Sequence, residues 1–125
     1  LQPVVLVGVG NLGRALLSYR GFAKEGFDIV AAFDVRAVQV KDMRVTQPVY
    51  SMTKLRQFVE QNLVRMAILC VPPEEAQEVS NDLVEAGVTG FMNFAPTVLQ
   101  VPDEVSVSNV NLAIELENLS YFIQD

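Results

Sequence analysis

The chain opens on a continuous apolar run, Val4-Val5-Leu6-Val7, closed by a glycine. A run without alternation is how a strand covered on both faces reads, as in a parallel sheet. From Leu12 to about Tyr19 the period becomes helical, with Leu12, Ala15, Leu16 and Tyr19 on one face and Gly21 ending the helix. Ile29 to Phe33 reads as a second strand, so residues 4–33 predict a strand-helix-strand unit with a right-handed crossover. Residues 35–50 carry no strong period and predict a loop with a short strand near Val49. Ser51 or Thr53 can cap a helix that turns Leu55, Phe58 and Val59 inward.

Met66 to Val71 repeats the buried-strand pattern, and Pro72-Pro73 stops it while suiting the start of a helix. That helix presents Ala76, Val79, Leu83 and Ala86, with Gly87 placed to cap it. Strands follow from Gly90 to Phe94 and from Val105 to Val110. The alternation over residues 1–110 predicts an α/β architecture, a doubly wound and mostly parallel sheet of the Rossmann type. Residues 111–125 predict a closing helix whose apolar positions do not share one stripe. Leu112, Leu116, Leu119 and Ile123 make one narrow face, and Ile114 and Tyr121 lie nearly opposite. Such a helix is either wedged between its own sheet and a neighbouring helix or shared with a second copy of the chain.

Length and charge narrow the reading. At 125 residues, half of them apolar, the chain can bury one core but cannot hold a Rossmann domain and a full substrate domain together. Nine basic residues against fifteen acidic ones, scattered along the chain, argue against direct binding of a polyanion, which needs clustered positive charge. The single cysteine, Cys70, allows no internal disulfide and is expected to be a buried, inert thiol. Without histidine there is no transition-metal ligand set. No apolar stretch approaches the roughly twenty residues that cross a bilayer, so a cytoplasmic protein is expected. Leu1-Gln2-Pro3 leads almost directly into the first strand, and the chain is expected to be the C-terminal piece of something longer.

Gly8-Val9-Gly10-Asn11-Leu12-Gly13 matches G-x-G-x-x-G, with a strand before it and a helix after it. In that setting the first glycine permits the turn, the second lets backbone approach a pyrophosphate, and the third lets helix and strand pack. The helix start adds free N–H groups and its dipole. The alternative is that the glycines only make a tight connection. Asp34, twenty-one positions beyond Gly13 at the end of the second strand, is placed to accept hydrogen bonds from an adenosine ribose. Its carboxylate favours NAD over NADP, a preference that Arg36, just past Val35, could soften. Val71-Pro72-Pro73 and Asn93-Phe94-Ala95-Pro96-Thr97 line the expected ring site with no ionisable group, so a dehydrogenase's acid or base is missing. Tyr19 is the remaining candidate, and it reads equally as a half-buried core aromatic. No catalytic and no metal-ligating residue is assigned.

Taken together, Gly8 to Leu16, Gly21-Phe22, Ala32-Phe33-Asp34, Cys70-Val71-Pro72, Asn93 to Pro96 and Val110-Asn111-Leu112 resemble the redox-sensing transcriptional repressors called Rex, over essentially the whole chain. The resemblance implies the NAD(H)-binding domain of a homodimeric repressor, whose winged helix for operator DNA lies N-terminal to it and whose last helix is exchanged between subunits. It implies that Gly8, Val9, Gly10, Asn11, Leu12 and Gly13 hold the pyrophosphate, Asp34 the ribose, and Val71, Pro72, Asn93, Phe94, Ala95 and Pro96 the nicotinamide side. Leu112 would reach the partner's pocket. Two departures stand out: Arg36-Ala37-Val38-Gln39-Val40-Lys41 replaces an Asp-Pro-x-Lys-hydrophobic-Gly tract, and Asn111 replaces an aspartate. The competing readings are a CoA-binding or NAD-dependent enzyme domain parted from its catalytic partner, and a dimerisation module without a ligand.

Overall fold

In a computed structural model the described residues are 1–36, 46–111, 116, 119 and 120. Six strands, β1 (Gln2–Val7), β2 (Phe27–Phe33), β3 (Val49–Tyr50), β4 (Met66–Leu69), β5 (Gly90–Asn93) and β6 (Ser106–Asn109), form one sheet in the order β3-β2-β1-β4-β5-β6. Every neighbouring pair is parallel. The chain winds outward from β1 first to one side and then, from β4, to the other. The carboxyl ends of β1 and β4 are therefore the point where consecutive connections diverge, and a crevice opens there.

Register puts the strand ends level. Val7 pairs with Phe33 on one side and Leu69 on the other, Phe33 with Tyr50, Leu69 with Asn93, and Asn93 with Asn109. The residues that follow these ends, Gly8, Asp34, Cys70 and Phe94 among them, consequently stand along one rim of the sheet.

The unalternating apolar run of β1 is explained by cover on both faces. Val5 and Val7 pack with Phe33 and Leu69 under α3 (Leu55–Gln61) and α4 (Pro73–Ala86), where Leu55, Val59, Ala76, Val79 and Leu83 close the layer. Val4 and Leu6 face the opposite side with Ile29, Ile68 and Leu17 of α1 (Asn11–Ser18). Each buried aliphatic side chain contributes about 1.5–3 kcal/mol, so the central strand anchors both layers. Ser51 accepts from the Thr53 N–H at the start of the 3-10 turn Met52–Lys54, and Gly87 caps α4 in the left-handed region at φ 116°.

Three expectations are corrected. The first helix does not turn Ala15 and Tyr19 inward: both are exposed, and Gly13 and Leu17 are the buried pair. The inward face is set by Gly13 seated on the strand, a contact that an apolar count cannot register. Nor does Gly21 end that helix. The chain leaves it at Tyr19 in an extended conformation, and Gly21 opens a second short helix, α2 (Gly21–Lys24). Cys70 is only partly buried, since it lies on the rim and not inside β4. The expected placement of Leu112 and of most of the closing helix lies outside the described residues, as does the tract from Ala37 to Lys41. Among the described residues no helix is long and apolar enough to cross a membrane.

Candidate functional site

At the diverging ends of β1 and β4 lies a cleft of about 610 Å³. Its floor is Val7, Gly8 and Phe33; one wall is Asp34, Val35 and Arg36, and the other is Cys70, Val71, Pro72 and Pro73, with Pro96 at the far end. Met52, Glu75 and Val79 complete it from the helical layer.

The glycines of the turn play different parts. Gly8 has φ 99°, and a Cβ there would meet the Cys70 carbonyl carbon at 2.6 Å, because β1 and β4 approach closely. A Cβ on Gly13 would run into the Gly8 carbonyl oxygen. Protein packing alone thus demands these two. Gly10 differs: it has φ −91°, and nothing lies within 4 Å of the position its Cβ would take. It borders the cleft and precedes the first turn of α1, whose first backbone bond runs from the Arg14 N–H to the Gly10 carbonyl. No side chain caps that turn. Uncapped N–H groups beside an open cradle make an anion site, because helix N–H dipoles point into it.

Asp34 is buried on the wall beside this turn, 6% exposed. Its Oδ2 accepts the Val9 N–H at 2.7 Å and its Oδ1 accepts the Arg36 N–H at 2.7 Å. One carboxylate therefore pins the glycine turn to the end of β2. A carboxylate oxygen accepts more than one hydrogen bond, so each retains capacity for a ligand hydroxyl. Opposite, burial pushes the Cys70 thiol up to about 12; it stays protonated at neutral pH and supplies no thiolate.

Of the residues singled out in the sequence, Gly8, Gly10, Asp34, Val35, Arg36, Val71, Pro72 and Pro96 line the cleft. Asn11, Leu12 and Gly13 belong to the helix start, and Val9 contributes its N–H to Asp34. Asn93, Phe94 and Ala95 do not line it. Asn93 is 1% exposed and fully engaged within the protein: Nδ2 donates to the Ala95 and Thr97 carbonyls and to Asn109 Oδ1, and Oδ1 accepts the Ala95 N–H. It shapes the loop that carries Pro96. Phe94 packs with the α1 layer and Ala95 with the α4 layer. Tyr19, 59% exposed, stands apart from the cleft against Phe22. Glu75, a cleft residue that the sequence reading did not single out, reaches it from the first turn of α4. Its signal was that first-turn position, two residues beyond Pro73.

A parallel sheet of this order with a glycine turn, an uncapped helix start and a carboxylate at the switch point defines a nucleotide-binding domain. The chain belongs to the CoA binding domain family, whose model matches residues 1–97. It is similar along nearly its whole length to the redox-sensing transcriptional repressor Rex of Carboxydothermus hydrogenoformans, with 46% identity over 121 residues, 97% of this chain and 58% of that protein. Among solved structures it is similar to RSP, a Rex-family repressor, in complex with β-NADH: 32% identity, TM-score 0.90, 98% of this chain and 59% of the other. RSP in complex with β-NAD+ and operator DNA superposes with TM-score 0.85 at 32% identity, over 98% of this chain and 56% of that one. The resemblance to Rex repressors read from the motifs holds, and the chain spans 58% of the length of the Carboxydothermus relative.

Proposed function

We propose that this chain is the NAD(H)-binding, redox-sensing regulatory domain of a DNA-binding transcriptional repressor, and that it holds the dinucleotide as a signal and does not turn it over. The observation that carries the reading is Gly10. Its missing side chain serves no contact within the described protein, and it opens a cradle at an uncapped helix start. A pyrophosphate fits that cradle, held by the N–H groups of Asn11, Leu12 and Gly13. Asp34 accepts the adenosine ribose hydroxyls, and Val71, Pro72 and Pro96 offer an apolar slot to the nicotinamide ring.

Bound there, the dinucleotide supplies its redox state and nothing else. The protein's part is to bind the reduced and oxidised forms with different free energies and to pass that difference to the operator-binding part. Two features speak against hydride chemistry: the chain has no histidine, and the cleft's thiol stays protonated. Residues 1–110 form the sensing unit, residues 111–125 the dimerisation helix, and operator DNA is met through an N-terminal winged helix outside this chain. Leu116 and Leu119, 68% and 61% exposed, support a homodimer that buries this helix.

Calorimetric titration with NADH, NAD+ and CoA tests the reading. Tighter binding of NADH than of NAD+, with no change in the nicotinamide absorbance on adding candidate substrates, is the expected result. Equal affinities for the two redox forms would remove the sensing role, and preferential binding of CoA would remove the dinucleotide.

A further inference from the structure

Arg36 stands at the ribose end of the cleft. Its N–H donates to Asp34 Oδ1 at 2.7 Å, and its Nε lies 3.7 Å from the same oxygen. The Asp34 side chain is 7% exposed and the Arg36 side chain 62%. The guanidinium thus lies over the carboxylate's outer edge, borders the cleft, and among the described residues pairs with no other group. A lone buried carboxylate excludes a phosphate on the adjoining sugar, because two negative charges would share a partly desolvated site. Asp34 and Arg36 together carry no formal charge, and among the described residues the terminal guanidinium nitrogens have no partner and remain as donors in the planar fork that suits a phosphate.

We propose that Arg36 makes the ribose end of this cleft accept an adenosine ribose carrying a phosphate monoester, alongside the unphosphorylated sugar that Asp34 receives. The proposal rests on the dinucleotide reading of the cleft given above. Asp34 keeps capacity for hydroxyls, whereas Arg36 meets the added phosphate from the exposed side, so one site serves both ligands. The phosphate can come from the 2′ position, as in NADPH, or from the 3′ position, as in CoA. Either source presents the same dianionic group to the same cation.

Two ligand pairs that differ only in this phosphate, NADH with NADPH and dephospho-CoA with CoA, are titrated into the chain and into its Arg36→Ala and Arg36→Lys variants by calorimetry. NADPH is expected to bind within about tenfold of NADH, since one charge-assisted contact offsets the carboxylate. Arg36→Ala should widen the gap between the members of a pair by about tenfold or more, and Arg36→Lys should restore part of it. Because Arg36 also borders the cleft and its Nε faces Asp34, the readout is the difference between the members of each pair, in which any change common to both cancels. Whichever pair responds identifies the 2′ or the 3′ source. A gap near a thousandfold in the unmodified chain, or gaps in both pairs unchanged by Arg36→Ala, would overturn the proposal while leaving NADH binding, and hence the dinucleotide reading, in place. Absence of NADH binding in the unmodified chain would take both away.

Discussion

Gly10 separates the two reasons for which glycine is found at such a turn. Gly8 and Gly13 are required by backbone that passes within contact distance, the Cys70 carbonyl in one case and the Gly8 carbonyl in the other. A methyl at Gly10 would enter empty space at an ordinary φ of −91°. Gly10→Ala is therefore expected to leave the melting temperature within about 2 °C of the parent, as substitutions with no packing consequence do. The same change should weaken NADH binding by about tenfold or more, because the methyl occupies the place of a pyrophosphate oxygen. Gly13→Ala should do the reverse first, costing about 1–3 kcal/mol of stability through overpacking against the strand. Thermal denaturation and calorimetry on the two variants check both halves, and a Gly10→Ala protein that binds NADH unchanged would empty the cradle of meaning. The motif was legible in the sequence, but it gave its three glycines equal standing. Their division depends on what each position faces: for Gly8 it is the end of β4, nearly sixty residues further along the chain, and for Gly13 the carbonyl of Gly8 itself.

The strands were the most legible elements, and for one physical reason. A strand covered on both faces needs apolar side chains at consecutive positions, and Val4 to Val7 and Met66 to Leu69 supply them. The face of α1 is not legible from apolar spacing because Gly13, one of its two buried residues, has no side chain to count and sits where even a Cβ would meet the Gly8 carbonyl. The internal partners of Asn93 were illegible for a related reason. A polar residue at a strand end gives no sign of the backbone that converges on it, which comes from a loop whose path no local pattern announces. In the structure that one side chain joins β5, the loop through Thr97, and β6. Asn93→Ala is expected to strip partners from buried carbonyls and an N–H together and to cost about 2–4 kcal/mol, since each unpaired buried group forfeits about 1–3 kcal/mol and the losses overlap. Denaturant unfolding measures it. The affinity for NADH should fall as well, because Pro96 loses its anchor, and a variant as stable as the parent would show that the loop holds itself.

The molecule as a whole presents a cleft assembled within one chain and a pair of leucines that the chain leaves uncovered. Among the described residues, those lining the cleft lie between Val7 and Pro96, and the two exposed leucines lie beyond them in the sequence. Leu116 and Leu119, three apart and exposed by 68% and 61%, share one side of their helix. Burying each would contribute about 1.5–3 kcal/mol, enough to favour a partner with a matching surface. In the proposed dimer these two positions are covered, and Leu116→Glu with Leu119→Glu would place two carboxylates in an apolar contact. The doubly substituted chain is expected to sediment as a monomer where the parent sediments as a dimer, with its melting curve reporting whether the sheet is intact. NADH should still bind it, within about tenfold of the parent, because the pyrophosphate cradle and Asp34 stay in place; the difference between NADH and NAD+ affinities should shrink. That shrinkage follows from linkage: a ligand discriminates between two dimer arrangements only by its differential affinity for them, and a monomer has no arrangement left to select. A doubly substituted chain that remains dimeric would move the interface away from this helix, and a monomer that discriminates between the redox forms as well as the parent would locate sensing wholly inside the cleft.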